Sequence, residues 1–289
     1  MFAEIPNEIL TLIFSYLPTK DKVTMVRVCK RWASILDNNQ LWKLDFAKIG
    51  PFNAVVKDSI CRQGITSVKI GQDFDTEMLP PKVRRILCTH IWSLNDLMTS
   101  SDVDLSEVHT LILNDPYIIS YKLEKVFKKF PRLVTLTLLN AEIISPKTFQ
   151  FIMAQKTIRY LTIETYWMHL VEVRELFLSD FVTQLRFLSI SRLNEFDHEL
   201  YEQLLRRCRF LKTLELELTR GFTFTALKTI LTHGKHLKTL RIKVVSLRQI
   251  MTVEQMLFNC FQVTPRRFRN KTTIIQTVRP DGSVKTIKL

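Results

Sequence analysis

Apolar residues recur along this chain with two different periods. From residue 5 the segment IPNEILTLIFSYL places Ile9, Leu10, Ile13, Phe14 and Leu17 in the i, i+1, i+4, i+5, i+8 rhythm of one helix face. Pro6 suits the first helical turn, where its missing N–H is not needed. Leu17-Pro18 stops the helix, because the residue before proline avoids the α region. A second helical pattern puts Val23, Val26 and Cys29 on one side. Lys30-Arg31 interrupts it with charge, and Trp32, Ile35 and Leu36 resume it. Asp37-Asn38-Asn39 reads as a turn, followed by Leu41-Trp42. Three helices this short leave more apolar surface than they can hide by themselves, and a patch of that kind marks an interface.

From residue 83 the period changes. VRRILC from Val83, VHTLIL from Val108, LVTLTL from Leu133, IRYLTI from Ile158, LRFLSI from Leu185, LKTLEL from Leu211 and LKTLRI from Leu237 share the form apolar-x-x-apolar-x-apolar, starting 25, 25, 25, 27, 26 and 26 residues apart. Alternation within a strand turns the later apolar positions inward and their neighbours outward. The stretch between units forms a covering helix, as in EFDHELYEQLLRRCRF, where Phe196, Leu200, Leu204 and Cys208 fall four apart. Ser145-Pro146 reads as a helix start, and Thr252 to Gln255 as a capping box. ITSVKI from Ile65 matches the form but lies only 18 residues before Val83. After the last unit, two alternating runs flank Pro280-Asp281-Gly282, the signal of a terminal hairpin.

The residues Ile5, Pro6, Glu8, Ile9, Leu10, then Ile13 to Pro18, then Val26, Val28, Cys29, Lys30, Arg31 and Trp32, then Asn38, Gln40, Leu41 and Trp42 together resemble the F-box motif. The repeat of about 20–29 residues with L-x-x-L-x-L resembles the leucine-rich-repeat signature. The expected fold is therefore α/β: a small three-helix F-box over residues 1–46 and a linker with an N-terminal repeat or cap over 47–82. A leucine-rich-repeat solenoid, with its curved parallel sheet inside and helices outside, follows over 83–262. A basic linker and C-terminal β-hairpin cap occupy 263–289.

The resemblance implies a substrate-recognition adaptor of a Skp1–cullin–F-box ubiquitin ligase. Skp1 would dock on Pro6, Ile9, Leu10, Ile13, Phe14, Leu17, Pro18, Val28, Cys29 and Trp32, bringing with it the cullin and the RING subunit. Lys22 stands where the family has an apolar residue, and is expected to face solvent. The outward strand positions would carry a protein substrate whose identity the sequence does not name. Tyr160, Thr162, Phe187, Ser189, Glu215 and Arg241 are the candidates, with the rings of Tyr160 and Phe187 at equivalent places in neighbouring units. Two other readings stay open: a Skp1-binding scaffold acting outside a ligase, and a basic nucleic-acid-binding repeat protein.

Composition adjusts this picture in three places. The formal net charge of +14 favours acidic partners, and the tail around Arg266, Arg267 and Arg269 is a local basic peak. The five cysteines, Cys29, Cys61, Cys88, Cys208 and Cys260, are scattered and odd in number, as expected of reduced thiols in a cytoplasmic or nuclear protein. Cys29, Cys88 and Cys208 read as core filler. The N-terminus does not read as a secretory signal, and charges such as Glu142, Glu164 and Lys243 interrupt every apolar block, so no membrane association is expected.

Catalysis is not expected either. Six glycines leave little room for phosphate loops, and neither GxGxxG, GxxxxGK[ST] nor HExxH occurs. His233 and His236 lack a third metal ligand and suit the positive-favouring end of a helix. Asp73, Asp75 and Glu77 read as a solvated loop. No cofactor and no metal is expected.

Overall fold

The structure, a computed structural model, describes residues 5–17, 19–42, 46–50, 54–100, 103–114, 120–143, 146–168, 170–193, 198–217, 223–243, 255–256, 274–278 and 283–288. The chain divides into two compact units, Met1–Asp115 with Lys125–Leu133, and Pro116–Glu124 with Val134–Leu289. The fold is α/β, with a short helical segment followed by strand–helix repeats.

In the first unit, α1 (Asn7–Ser15), α2 (Thr19–Met25) and α3 (Lys30–Leu36) precede a 3-10 turn at Asn39–Trp42. The second helical pattern is not continuous. The chain leaves α2 at Val26, and Cys29, with φ −160° and ψ 162°, is the extended residue from which α3 starts. Cys29 is consequently exposed, not core filler, whereas Cys88 and Cys208 are buried as the periodicity implied. Leu10, Phe14, Leu36, Leu41 and Trp42 form one core with Ala47, Ile60 and Ile65 from the residues that follow. Phe14 meets Trp32 edge to face at 5.3 Å.

Lys22 departs from its expected place in solvent: it is 1% exposed. Its ammonium donates to the Leu41 carbonyl at 2.7 Å and lies 5.9 Å from the Trp42 ring centre. An amine this buried needs both a hydrogen bond and an electron-rich neighbour, and the carbonyl and the ring supply them.

Strands β1 (Ala47–Ile49), β2 (Ser67–Ile70), β3 (Arg85–Cys88) and β4 (Thr110–Asn114) pair in parallel, one beside the next. The ITSVKI segment is therefore a repeat unit, with Ile65, Val68 and Ile70 buried like their counterparts Val83, Ile86 and Cys88. Helices α4 (Ala54–Arg62) and α5 (Ile91–Thr99) lie between these strands in sequence. Gly64, at φ 61°, ends α4. Its N–H bonds to the Cys61 carbonyl and the N–H of Ile65 to that of Ile60, both at 3.1 Å, the paired closure that a left-handed residue permits.

Helix α6 (Ser120–Lys129) contributes to both units. In the second unit, α7 (Pro146–Met153), α8 (Leu170–Leu178), α9 (His198–Arg207) and α10 (Phe224–His233) alternate with β5 (Thr135–Ile143), β6 (Tyr160–Met168), β7 (Phe187–Leu193), β8 (Thr213–Glu217) and β9 (Thr239–Lys243). All five strands are parallel, and β10 (Ile274–Val278) continues the order beside β9. The register is that of the repeat: Leu161, Leu188, Leu214 and Leu240 stand opposite one another, as do Ile163, Ile190, Leu216 and Ile242, all at most 2% exposed. Burying side chains of this size stabilises by about 1.5–3 kcal/mol each. Asn140, at φ 55°, occupies the irregularity where the β5–β6 register shifts. Strand β11 (Val284–Lys288) returns antiparallel on β10, so the terminal hairpin forms. Its turn, Pro280-Asp281-Gly282, lies outside the described residues, as do Ser145, residues 252–254, Cys260 and the basic run 266–270.

Candidate docking surfaces

Two surfaces gather the residues singled out from the sequence. The first is on α1. At about 100° per residue, its apolar side chains span an arc too wide for one contact, and the arc divides. Leu10 and Phe14 turn into the local core at 1% and 2% exposed. Ile9, Leu12, Ile13 and Tyr16 remain 48%, 54%, 43% and 81% exposed, and Val28, just before α3, is 55% exposed. Pro6 and Cys29 are exposed as well, and Leu17 and Trp32 are half-buried. Pro18 lies outside the described residues. Of the residues assigned to docking, Pro6, Ile9, Ile13, Val28 and Cys29 are thus free on the surface, while Leu10 and Phe14 hold the helix in place beneath it. Leu12 and Tyr16 were not assigned to docking, although Tyr16 belongs to the motif; their signal was present as positions 12 and 16, each three residues, about one turn, after Ile9 and Ile13.

Arg31 fixes the entry of α1. Its Nε donates to Asn7 Oδ1 at 2.9 Å and its Nη2 donates to the Ile5 carbonyl. The indole N–H of Trp42 donates to the Leu36 carbonyl at 2.7 Å. These bonds hold the ends of α1 and α3, so the exposed side chains are presented by a supported helix.

The second surface is the outward row of β6 to β9. Tyr160 and Phe187 are paired in register, and so are Thr162, Ser189, Glu215 and Arg241. Tyr160 is 39% exposed and Phe187 half-buried, so the rings form a partly accessible aromatic pair. Ser189 is fully buried and donates its hydroxyl hydrogen to Glu215 Oε1 at 3.0 Å. The same carboxylate receives Lys243 Nζ at 2.9 Å and Arg241 Nη1 at 3.5 Å. Arg241 is the residue directly opposite Glu215, and Lys243 the diagonal neighbour. Ser189 and Glu215 are therefore engaged within the sheet, and a ligand on this row would meet Tyr160, Phe187, Thr162 and the outer part of Arg241. The side chains of Tyr166 and Trp167 lie outside the described residues.

The remaining candidates gather nothing further. His233 ends α10 within 3.5 Å of Glu202 and also of Arg206. Asp75 caps the turn at Thr76–Met78 by accepting the Glu77 N–H at 2.9 Å, beside an open depression of about 560 Å³. Among the described residues no three His, Cys, Asp or Glu side chains converge as metal ligands, and no helix is long and apolar enough to cross a membrane. Cys208, whose thiol donates to the Val182 carbonyl, has its pKa pushed up to about 12 by burial.

Comparison with known proteins bears on the first surface. The F-box-like family profile matches residues 2–46. The chain is 43% identical over 42 residues to F-box/LRR-repeat protein 12 of Bos taurus and 45% identical over 40 residues to that of Homo sapiens. Each match covers 14% of this chain and 13% or 12% of the relative. The N-terminal segment, residues 2–46, is an F-box-like domain.

Proposed function

We propose that this chain is the substrate-recognition adaptor of a ubiquitin ligase of the Skp1–cullin–F-box type, working in the cytoplasm or nucleus. It docks Skp1 through the exposed face of α1 with Val28 and Cys29, and holds a protein substrate on the repeats. The observation that carries this reading is the cluster of large apolar side chains left in solvent by a segment that is F-box-like. Ile9, Leu12, Ile13, Tyr16 and Val28 are each at least 43% exposed, while Leu10, Phe14, Leu36, Leu41 and Trp42 pack into a core with Ala47, Ile60 and Ile65. A surface of this kind is stable against water only at a cost, and covering it with a partner removes that cost.

The chain contributes geometry rather than chemistry. Anchored through α1 and holding a substrate on the repeats, it keeps substrate lysines near the ubiquitin-charged enzyme, raising their effective concentration. The test is co-purification of the full chain with Skp1, wild type beside Ile13→Glu. A carboxylate forced into an apolar interface costs on the order of several kcal/mol, while on the free chain it stays in water. Loss of Skp1 with an unchanged thermal melt is the expected result. Retention of Skp1 by the variant, or no binding by the wild type, sinks the reading. Ubiquitylation of a captured substrate in the reconstituted complex then separates a ligase adaptor from a scaffold.

A further inference from the structure

One basic surface of the second unit has no role in the reading above. It lies where each repeat strand begins. The backbone N–H groups of Arg159, Arg186, Lys212 and Lys238 bond in succession to the carbonyls of Val134, Arg159, Arg186 and Lys212, each at 2.8 Å. Four cationic residues thus occupy the same position on four adjacent rungs. With strands ~4.7–4.9 Å apart, the row is about 14 Å long.

Arg186, Lys212 and Lys238 are exposed, and so are Lys156, Arg209 and Lys235 beside them. Arg159 is half-buried, with its guanidinium donating to the carbonyls of Lys156 and Ile158. Among the described residues Arg186, Lys212 and Lys238 have no ion pair, whereas Arg206 and Arg207 of the neighbouring α9 are matched by Glu202 and Asp180. Like charges on facing positions of adjacent strands repel and lower the stability of the pairing. Phe210 lies two residues before the Lys212 position of the row, in the turn between α9 and β8, and is 63% exposed. An apolar ring this open, two residues before one of the cations, offers contact area to a ligand that the charges attract.

We propose that this edge binds an acidic peptide segment of a partner protein, lying along the rungs with its carboxylates toward Arg159, Arg186, Lys212 and Lys238 and an apolar side chain on Phe210. An extended chain advances ~3.3 Å per residue, so about five residues span the row. A nucleic acid is the less fitting occupant, because single-strand platforms stack successive bases on several rings, whereas the large exposed aromatics beside the row among the described residues are Phe210 and, next to Arg159, the less exposed Tyr160. The proposal is independent of Skp1 docking: every residue it uses belongs to the second unit, and its test reads peptide binding alone.

The test uses the full chain and a fluorescein-labelled peptide, Glu-Glu-Leu-Glu-Glu-Glu, followed by anisotropy. The combined reversal Arg186→Glu, Lys212→Glu and Lys238→Glu is compared with Lys147→Glu, Arg174→Glu and Lys228→Glu on α7, α8 and α10, which changes the net charge equally. The edge reversal is expected to weaken binding at least about tenfold and the helix reversal by less than about twofold. Phe210→Ser weakens the leucine-containing peptide more than an all-glutamate one. Lys212→Gln with Lys238→Gln, which introduces no new charge, moves affinity in the same direction if the full reversal lowers the melting temperature. Equal loss in both reversals assigns the attraction to overall charge and overturns the proposal. So does absence of peptide binding, or tighter binding of a twelve-nucleotide oligothymidine than of the peptide with the same dependence on these cations.

Discussion

The first helix and the repeat strands use apolar residues for opposite ends. On α1 and its C-terminal cap Tyr16, four of the large side chains stay 43–81% exposed while Leu10 and Phe14 carry the packing. On β6 to β9, the apolar positions of the repeat are at most 2% exposed, and the outward places go to Thr, Ser, Glu and Arg, with the aromatic pair Tyr160 and Phe187 at the start of β6 and β7. Both segments look hydrophobic in sequence. A strand flanked by parallel neighbours has one inward face, and its period of two sorts every residue to it or away. A short helix at the surface has no such constraint, so an arc wider than its contact leaves a remainder. The remainder is informative because folding does not need it.

The sharpest way to test this contrast is by thiol chemistry, since each region holds a cysteine that the periodicity placed inside. Cys29 is exposed at the start of α3, and Cys208 is buried after α9 with its thiol pKa pushed up to about 12. At pH 8 only about one Cys208 in ten thousand is thiolate, and only the thiolate attacks. Alkylation of the folded chain, read by peptide mass, should modify Cys29 readily and Cys208 at least about three orders of magnitude more slowly than after unfolding. Comparable rates at the two sites would show that the repeat core opens as easily as the helical surface. Since the raised pKa belongs to the folded state, Cys208 regains ordinary reactivity in denaturant.

Cys29 also shows where the sequence was legible and where it was not. The repeat was readable because seven units restated one pattern, and each apolar position recurred until alternation explained it. Even the short-spaced unit at Ile65 proved to be a rung. Ala47-Lys48-Ile49 was not readable as β1, because three residues carry no L-x-x-L-x-L. In the helical segment each residue occurs once, so helix phase alone had to decide between inside and outside. It misjudged Cys29 because the helix breaks at residues 26–29, and Lys22 because no local signal shows that a carbonyl and an indole await the amine. Ser189 was read as outward by alternation, correctly for the backbone. Its burial follows from Glu215 across the strand, a tertiary fact. The basic edge went unnoticed because Arg159, Arg186, Lys212 and Lys238 are 26–27 residues apart in sequence and become neighbours only through strand register.

Stability measurements bear on the same contrast with a smaller effect. Leu214→Ala removes side-chain volume from a fully buried rung, and substitutions of that type cost about 2–5 kcal/mol. Ile13→Ala removes as much apolar volume from a side chain 43% exposed, and is expected to cost less than about 1 kcal/mol. Denaturant melts of the isolated chain give both values. If Ile13→Ala proved as damaging as Leu214→Ala, the outer face of α1 would be part of the core and not a surface held for a partner. Repeating the pair with Skp1 bound sharpens the point. On the proposed docking, the stabilisation contributed by Skp1 should be reduced by Ile13→Ala and unchanged by Leu214→Ala.

The smallest expected effect falls where the two regimes meet. Gly64 closes α4 and delivers Ile65, the buried residue two positions before β2, into the core that also holds Leu10, Phe14 and Trp42. Its φ of 61° costs an L-residue roughly 1–2 kcal/mol. Gly64→Ala should lower stability by about that amount, and Gly64→Asn by less, since asparagine tolerates the left-handed region. The order glycine, asparagine, alanine in denaturant midpoint is the signature of a backbone requirement. A cost set by side-chain volume would instead rank asparagine, the larger residue, below alanine, and the turn from helix to first rung would then be governed by packing and not by the closing hydrogen bonds at Cys61 and Ile60.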